Sequence, residues 1–210
     1  MELFIYVFAA LFSVINPLGT VPIFVGLTQE YSASERSRTS LLTAVNIFVI
    51  LLISFFTGRF ILHFFGISIE SLRIAGGLII VTSGFALLTG SFSKHKGMEK
   101  ERVKNDAFQR DSVSLTPLAI PMLAGPGSIS LLIGMYEDYS IISEKIITII
   151  AILGVCLATF LVLRSSHYIV KMLGASGINA ISRIIGFIVI AIGIEYISSS
   201  IIIVLSNVFK

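Results

Sequence analysis

Asn16-Pro17-Leu18-Gly19-Thr20 and Gly125-Pro126-Gly127-Ser128 set polar side chains beside helix-breaking residues in the middle of long apolar runs. Proline removes a backbone donor, clashes with the preceding turn and pushes the residue before it toward extended geometry, so neither run can continue as an undisturbed helix. In hydrocarbon an unpaired N–H or C=O costs several kcal/mol, and unwound backbone persists only where protein, water or ligand satisfies it. Two interrupted segments in corresponding halves of a chain are the sequence pointer to a secondary-transporter site.

The chemistry on offer is that of bare peptide groups. In a broken helix the N–H groups opening one half carry partial positive charge, and the C=O groups closing the other carry partial negative charge. Such a pair suits a zwitterion. A small amino acid can lay its carboxylate on N–H groups near Gly127, Ser128 and Ile129 while its ammonium meets carbonyls or Asn16, with Thr20, Ser128 and Ser130 adding uncharged hydrogen bonds. Glycine-lined backbone allows close approach and favours a small substrate. The competing interpretation is a pair of kinked structural helices with no ligand.

Ionisable residues within apolar runs are functional candidates. Glu195 is the clearest, as a carboxyl that could couple transport to protons, although Ser198, Ser199 and Ser200 beside it suit an outer interface. Arg73 and Arg183 open corresponding helices and fit structural anchors or gate partners; His63 and His167 sit near predicted span ends without a ligand pattern. An enzyme finds little support: HExxH, GxSxG and P-loop motifs are missing, and the Gly125–Ser128 nest has no base beside its serine. With Cys156 as the single cysteine, no disulfide framework or multi-cysteine metal site can be built, and no cofactor is indicated. A channel remains an alternative, since re-entrant backbone also builds filters.

The elements that must carry these residues follow from composition. With 55% hydrophobic and 13% charged residues and a mean hydropathy of +0.97, the chain is an all-α membrane protein. A span takes about 20 apolar residues, and on that measure six helices are expected near 3–27, 40–62, 70–90, 114–136, 144–164 and 182–205, the first and fourth broken. Ser32-Ala33-Ser34-Glu35 has the form of a capping box, so the second helix should begin before Arg36. Thr39, Thr43 and Asn46 then share a face, read first as interhelical hydrogen bonding. A hydrophilic linker, 91–113, joins residues 1–90 to residues 114–210.

The isoelectric point of about 9.1 reports membrane orientation rather than nucleic acid. Arg36, Arg38, Lys94, Lys96, Lys100, Arg102, Lys104, Arg110, Arg164, Lys171 and Arg183 fall on the linker side, against Arg59, Arg73, Lys145 and Lys210 opposite. The positive-inside rule then puts the linker in the cytoplasm and both termini outside. The start, Met1-Glu2 followed at once by apolar residues, reads as a retained first span rather than a signal peptide.

The halves also match each other. Arg73-Ile74-Ala75-Gly76 and Arg183-Ile184-Ile185-Gly186 lie 110 positions apart, and Pro17 and Pro126 lie 109 apart. Halves of three spans each must insert in opposite senses, which predicts two inverted three-helix repeats. Gly76 and Gly84 share a face of the third helix, and Gly186 and Gly193 nearly do so in the sixth, as expected of close helix packing.

Asn16-Pro17-Leu18-Gly19-Thr20, Ser34-Glu35-Arg36, Phe65-Gly66-Ile67-Ser68-Ile69, Leu72-Arg73-Ile74-Ala75-Gly76-Gly77, Pro117-Leu118-Ala119-Ile120-Pro121, Ala124-Gly125-Pro126-Gly127-Ser128-Ile129 and Gly177-Ile178-Asn179-Ala180-Ile181-Ser182-Arg183 together resemble the MarC family, also called the neutral amino acid transporter family. The resemblance covers nearly the whole chain. It implies a six-span prokaryotic inner-membrane protein, with glycine- and alanine-class substrates and proton or cation coupling in some members. Carried over, it puts substrate binding on Asn16, Pro17, Gly19, Thr20, Gly125, Pro126, Gly127 and Ser128. Some relatives carry a hydroxyl residue where this chain has Gly19, and the family pattern has no acid at Glu195. The expected partners are a small neutral amino acid, a coupling ion and the bilayer, with export and homo-oligomerisation left open.

Overall fold

The computed structural model describes residues 1–91 and 114–208, without the side chains of Pro117, Pro121, Ala175 and Val208. Apart from Ser91, the linker and its basic residues lie outside the described residues. The described chain is helical: α1 (Glu2–Ile15), α2 (Pro17–Leu27), α3 (Ala33–Phe65), α4 (Ile69–Thr89), α5 (Ser114–Leu123), α6 (Pro126–Asp138), α7 (Ile142–Arg164) and α8 (Ser166–Val208).

The ends of α3 obey local chemistry. Ser32 N–H donates to Glu35 Oε2 at 2.7 Å and Glu35 N–H returns to Ser32 Oγ at 3.3 Å, completing the expected capping box. Gly66 then closes the helix in left-handed geometry at φ 66, a conformation a side chain would strain. At 33 residues α3 spans about 50 Å at 1.5 Å per residue, more than the bilayer's hydrocarbon core, so its polar first turns project beyond the apolar zone.

Among the described residues five helical stretches are long and apolar enough to cross a membrane: Glu2–Leu27, Ala33–Phe65, Ile69–Thr89, Ile142–Arg164 and Ser176–Asn207. The helix expected at 114–136 is instead two short pieces, α5 of 10 residues and α6 of 13. The break is wider than expected because Thr116 (φ −128, ψ 121) and Ile120 (φ −118, ψ 126) leave helical geometry within α5. Each directly precedes a proline, Pro117 and Pro121, and that neighbour disfavours the helical region. The last helix also starts earlier than expected and bends at Gly174 (φ 62, ψ 176), where a side chain would be strained.

Buried Leu11, Ile15, Phe24, Ile47, Phe55, Leu123, Leu132 and Ile152 form one core shared by both halves of the chain. Outward, Phe60, Phe64, Ile146, Phe187 and Ile202 are exposed, as suits a surface solvated by lipid. At one end Arg59 pairs with Glu137 at 3.4 Å, and Lys145 Nζ lies 3.7 Å from the centre of the Tyr136 ring. The opposite end carries the contact of Arg36 with His167 at 3.0 Å.

The tightest helix contact joins α4 to α8. A Cβ on Gly77 would lie 2.8 Å from Gly193 O, and one on Gly193 would lie 2.8 Å from Gly77 O; Gly84 and Gly186 stand in the same reciprocal relation, each 2.8 Å from the other's carbonyl. The helices therefore run antiparallel with backbone against backbone. The neighbours repeat too, since a Cβ on Gly84 would lie 2.7 Å from Ile190 Cγ1 and one on Gly193 2.7 Å from Val81 Cγ2. Gly77 and Gly186, Val81 and Ile190, and Gly84 and Gly193 are each 109 positions apart, like Pro17 and Pro126. The glycine stripe of α4 therefore differs from the expected one by a residue. Gly77, not Gly76, belongs to the stripe, while Gly76 sits under Ser130. The residue 109 after Arg73 is the buried Ser182, and Arg183 is exposed.

Gly84→Ala or Gly193→Ala should destabilise the detergent-solubilised protein by about 1–3 kcal/mol, because overpacked side chains must push two backbones apart. Gly26→Ala, with nothing within 4 Å of the added carbon, should stabilise α2 by about 0.5–1 kcal/mol. Thermal unfolding of the three variants checks both signs. His167 lies outside the spans; burial, then the neighbouring Arg36 charge, hold it below the ordinary histidine value. The unfolded chain thus takes up this proton at higher pH than the fold, so the contribution is complete above about pH 6.5 and is lost as pH falls through the folded value. Unfolding followed from pH 8 to pH 5 should show this slope in the wild type and lose it in His167→Gln.

Candidate functional site

The first break turns on one residue. Asn16 adopts left-handed geometry (φ 48, ψ 65), the sole non-glycine to do so among the described residues, and α1 stops at Ile15 while α2 restarts at Pro17. Asparagine tolerates this conformation because its short amide can bond locally. Here Oδ1 accepts from Gly19 N–H at 3.2 Å, capping α2, and Thr20 Oγ1 donates to Asn16 O at 3.3 Å. A side chain on Gly19 would collide with the Asn16 amide. Asn16, Pro17 and Thr20 are buried.

The second break is made differently. Gly125 is extended (φ −91, ψ 173) and caps α6, whose first residue is Pro126, placed where its missing N–H costs nothing. Ser128 Oγ donates to Gly125 O at 2.9 Å and reaches toward Leu123 O at 3.5 Å. Ile129 N–H is bonded to Gly125 O at 3.1 Å, so the expected N–H set contracts to Gly127 and Ser128, first-turn donors that have no helical acceptor. Ser130, expected to face the ligand, instead donates to Leu72 O of α4 at 3.1 Å.

The two breaks meet. A Cβ on Gly127 would lie 3.0 Å from Ile80 Cγ1 and 3.6 Å from Val14 Cγ1, and Val14 is two residues before Asn16. Gly127 is thus also a packing position, filled from outside by apolar side chains of α1 and α4. At the first break Asn16 Nδ2 has no hydrogen-bond partner, on a residue with no exposed surface. An unsatisfied buried donor costs about 1–3 kcal/mol, which makes this amide nitrogen the open valence of the site.

Of the remaining candidates, Arg73 is buried but lies at the far end of α6, where its Nη2 donates to Gly134 O at 3.1 Å and to Asp138 Oδ1. Arg183 and Glu195 are exposed, away from the core. Sequence reasoning did not find Asp138, Tyr196 or Gly134. Tyr196 donates to Leu131 O at 2.9 Å and lies under the Arg73 guanidinium, 5.8 Å from it, and a side chain on Gly134 would collide with its hydroxyl. The available signal was Gly134, a glycine in an otherwise bulky helix. Among the described residues no group of three or more metal-ligating side chains forms.

Residues 1–205 match the family described as MarC family integral membrane protein. The chain belongs to the MarC family. It is 39% identical over 197 residues to a UPF0056 membrane protein of Buchnera aphidicola from Schizaphis graminum, covering 94% of this chain and 90% of that one. It is 38% identical over 194 residues to the UPF0056 membrane protein YhcE of Escherichia coli K12, covering 92% and 89%. The UPF0056 inner membrane protein MarC of Escherichia coli O1:K1 is 34% identical over 197 residues, covering 89% and 88%. No solved structure matches. This MarC-family chain is therefore an integral membrane protein.

Asn16→Ala should cost about 1–3 kcal/mol, combining a lost cap with left-handed strain, whereas Asn16→Gly keeps the backbone and should cost roughly half as much. Unfolding midpoints of the two variants test this order.

Proposed function

We propose that this MarC-family protein is a secondary transporter of small neutral amino acids, of the glycine and alanine class, working by alternating access around the two broken segments. The observation that carries the reading is the fully buried Asn16 amide, unpartnered at Nδ2, at a break whose neighbour Val14 packs against Gly127 of the other break. That interior offers backbone donors at Gly127 and Ser128 and the Asn16 amide, without a buried charge. A small dipolar molecule matches it.

In this reading α5 and α6 together complete a sixth membrane crossing, and the halves form an inverted repeat. The reciprocal glycine contacts between α4 and α8, spaced by 109 positions, support that symmetry. The protein then resides in the inner membrane, as the name of one relative states for that relative, with the linker cytoplasmic and both termini outside. Coupling to a proton or another cation belongs to the same proposal, and net export of amino acids or other small metabolites is an alternative to it. A channel for small polar solutes is the rival.

Uptake of labelled glycine and alanine into proteoliposomes, with and without an imposed proton or sodium gradient, tests it. Saturable accumulation above equilibrium is expected, with at least about a tenfold loss in Asn16→Gly, equivalent to one lost polar contact. Flux that never saturates or exceeds equilibration means a channel.

A further inference from the structure

The Arg73 guanidinium is nine-tenths buried, with side-chain exposure of 10%, whereas its partner Asp138 is 47% exposed. Asp138 engages only Nη2, and Nε is left without a hydrogen-bond partner. An arginine fork normally takes a carboxylate with two parallel N–H donors, so this one is half filled. What covers the free donor is α6 itself: a Cβ on Gly134 would lie 3.2 Å from Arg73 Nε.

α6 buries Leu131, Leu132 and Met135 in the core, while its polar contacts with α4 and α8 are exchangeable. Ser130 donates to Leu72 O, Tyr196 to Leu131 O and Arg73 to Gly134 O, each a single hydrogen bond to a carbonyl. The partners on α4 and α8 belong to the pair locked by reciprocal glycine contacts, which cannot shift without separating two backbones. The Gly125-Pro126 break and the turn at Tyr139 bound α6 as a short helix of its own.

We propose that Arg73 is a carboxylate-binding site masked by α6. Asp138 occupies it in this closed arrangement, and an incoming substrate carboxylate takes both Nε and Nη2 when α6 swings off α4 and α8. The identity of that carboxylate as an amino acid's rests on the transport reading above, while the site itself does not.

The test is the rate at which phenylglyoxal modifies Arg73 in the full-length purified protein, read by peptide mass spectrometry alongside calorimetric binding of alanine. Modification should be slow, slowed further by alanine and by acetate, and unaffected by alaninamide, which lacks the carboxylate. In Asp138→Asn, modification should run about tenfold faster and acetate should bind about tenfold more tightly, since a competing carboxylate is gone. Alanine that binds without slowing Arg73 modification overturns the proposal and leaves the transport reading standing. Protection by acetate with no binding of alanine upholds the carboxylate site and removes the amino acid. Protection by neither, with no binding of alanine, removes both, and these wild-type results decide the matter even if the variant does not fold.

Discussion

Backbone that leaves helical geometry inside an apolar bundle must find its hydrogen-bond partners within the protein. Each break in this MarC-family chain meets that demand with one small polar side chain: Asn16 turns its oxygen to Gly19 N–H, and Ser128 turns its hydroxyl to Gly125 O. The remainder of the fold is arranged so that these local solutions hold. Thr20 returns a bond to Asn16 O, and Val14 and Ile80 close the space beside Gly127. Both breaks can therefore persist next to each other in the core.

Two kinds of packing divide the work. The α4–α8 contact is backbone on backbone, with no side chain between that could change rotamer, and it is correspondingly stiff. The contact of α6 with that pair adds single hydrogen bonds and one ion pair to side-chain packing such as Ile80 against Gly127. Stiffness in one interface and exchangeable bonds in the adjoining one are what a membrane protein needs if a short segment is to move against a fixed frame. The buried guanidinium of Arg73 sits at the junction of the two.

Much of the fold was legible in local chemistry. The capping box at Ser32, the break before Pro17 and the break before Pro126 follow from residue types acting on their immediate neighbours. The same rule also covers Thr116 and Ile120, each placed before a proline, so the irregularity of α5 is written in residue types as well. The site was legible in part: Asn16, Thr20 and Ser128 are at the breaks, but their oxygens are largely committed to their own backbone. Ser130 and Arg73, which share apolar surroundings with the site residues in sequence, turn out to hold helices together.

What the amino-acid sequence by itself determined is membrane character, the position of the helix breaks and the family, because hydropathy, proline sterics and capping are effects of a residue on its neighbours along the chain. Only the tertiary structure decided that Val14 meets Gly127, that Gly77 rather than Gly76 faces α8, and that Arg73 is buried beside Asp138 while Arg183 is exposed. These depend on how helices rotate against one another. In a chain apolar on nearly every face, no hydrophobic stripe encodes that rotation; it is set by where small residues let backbones touch and where a polar group finds a partner.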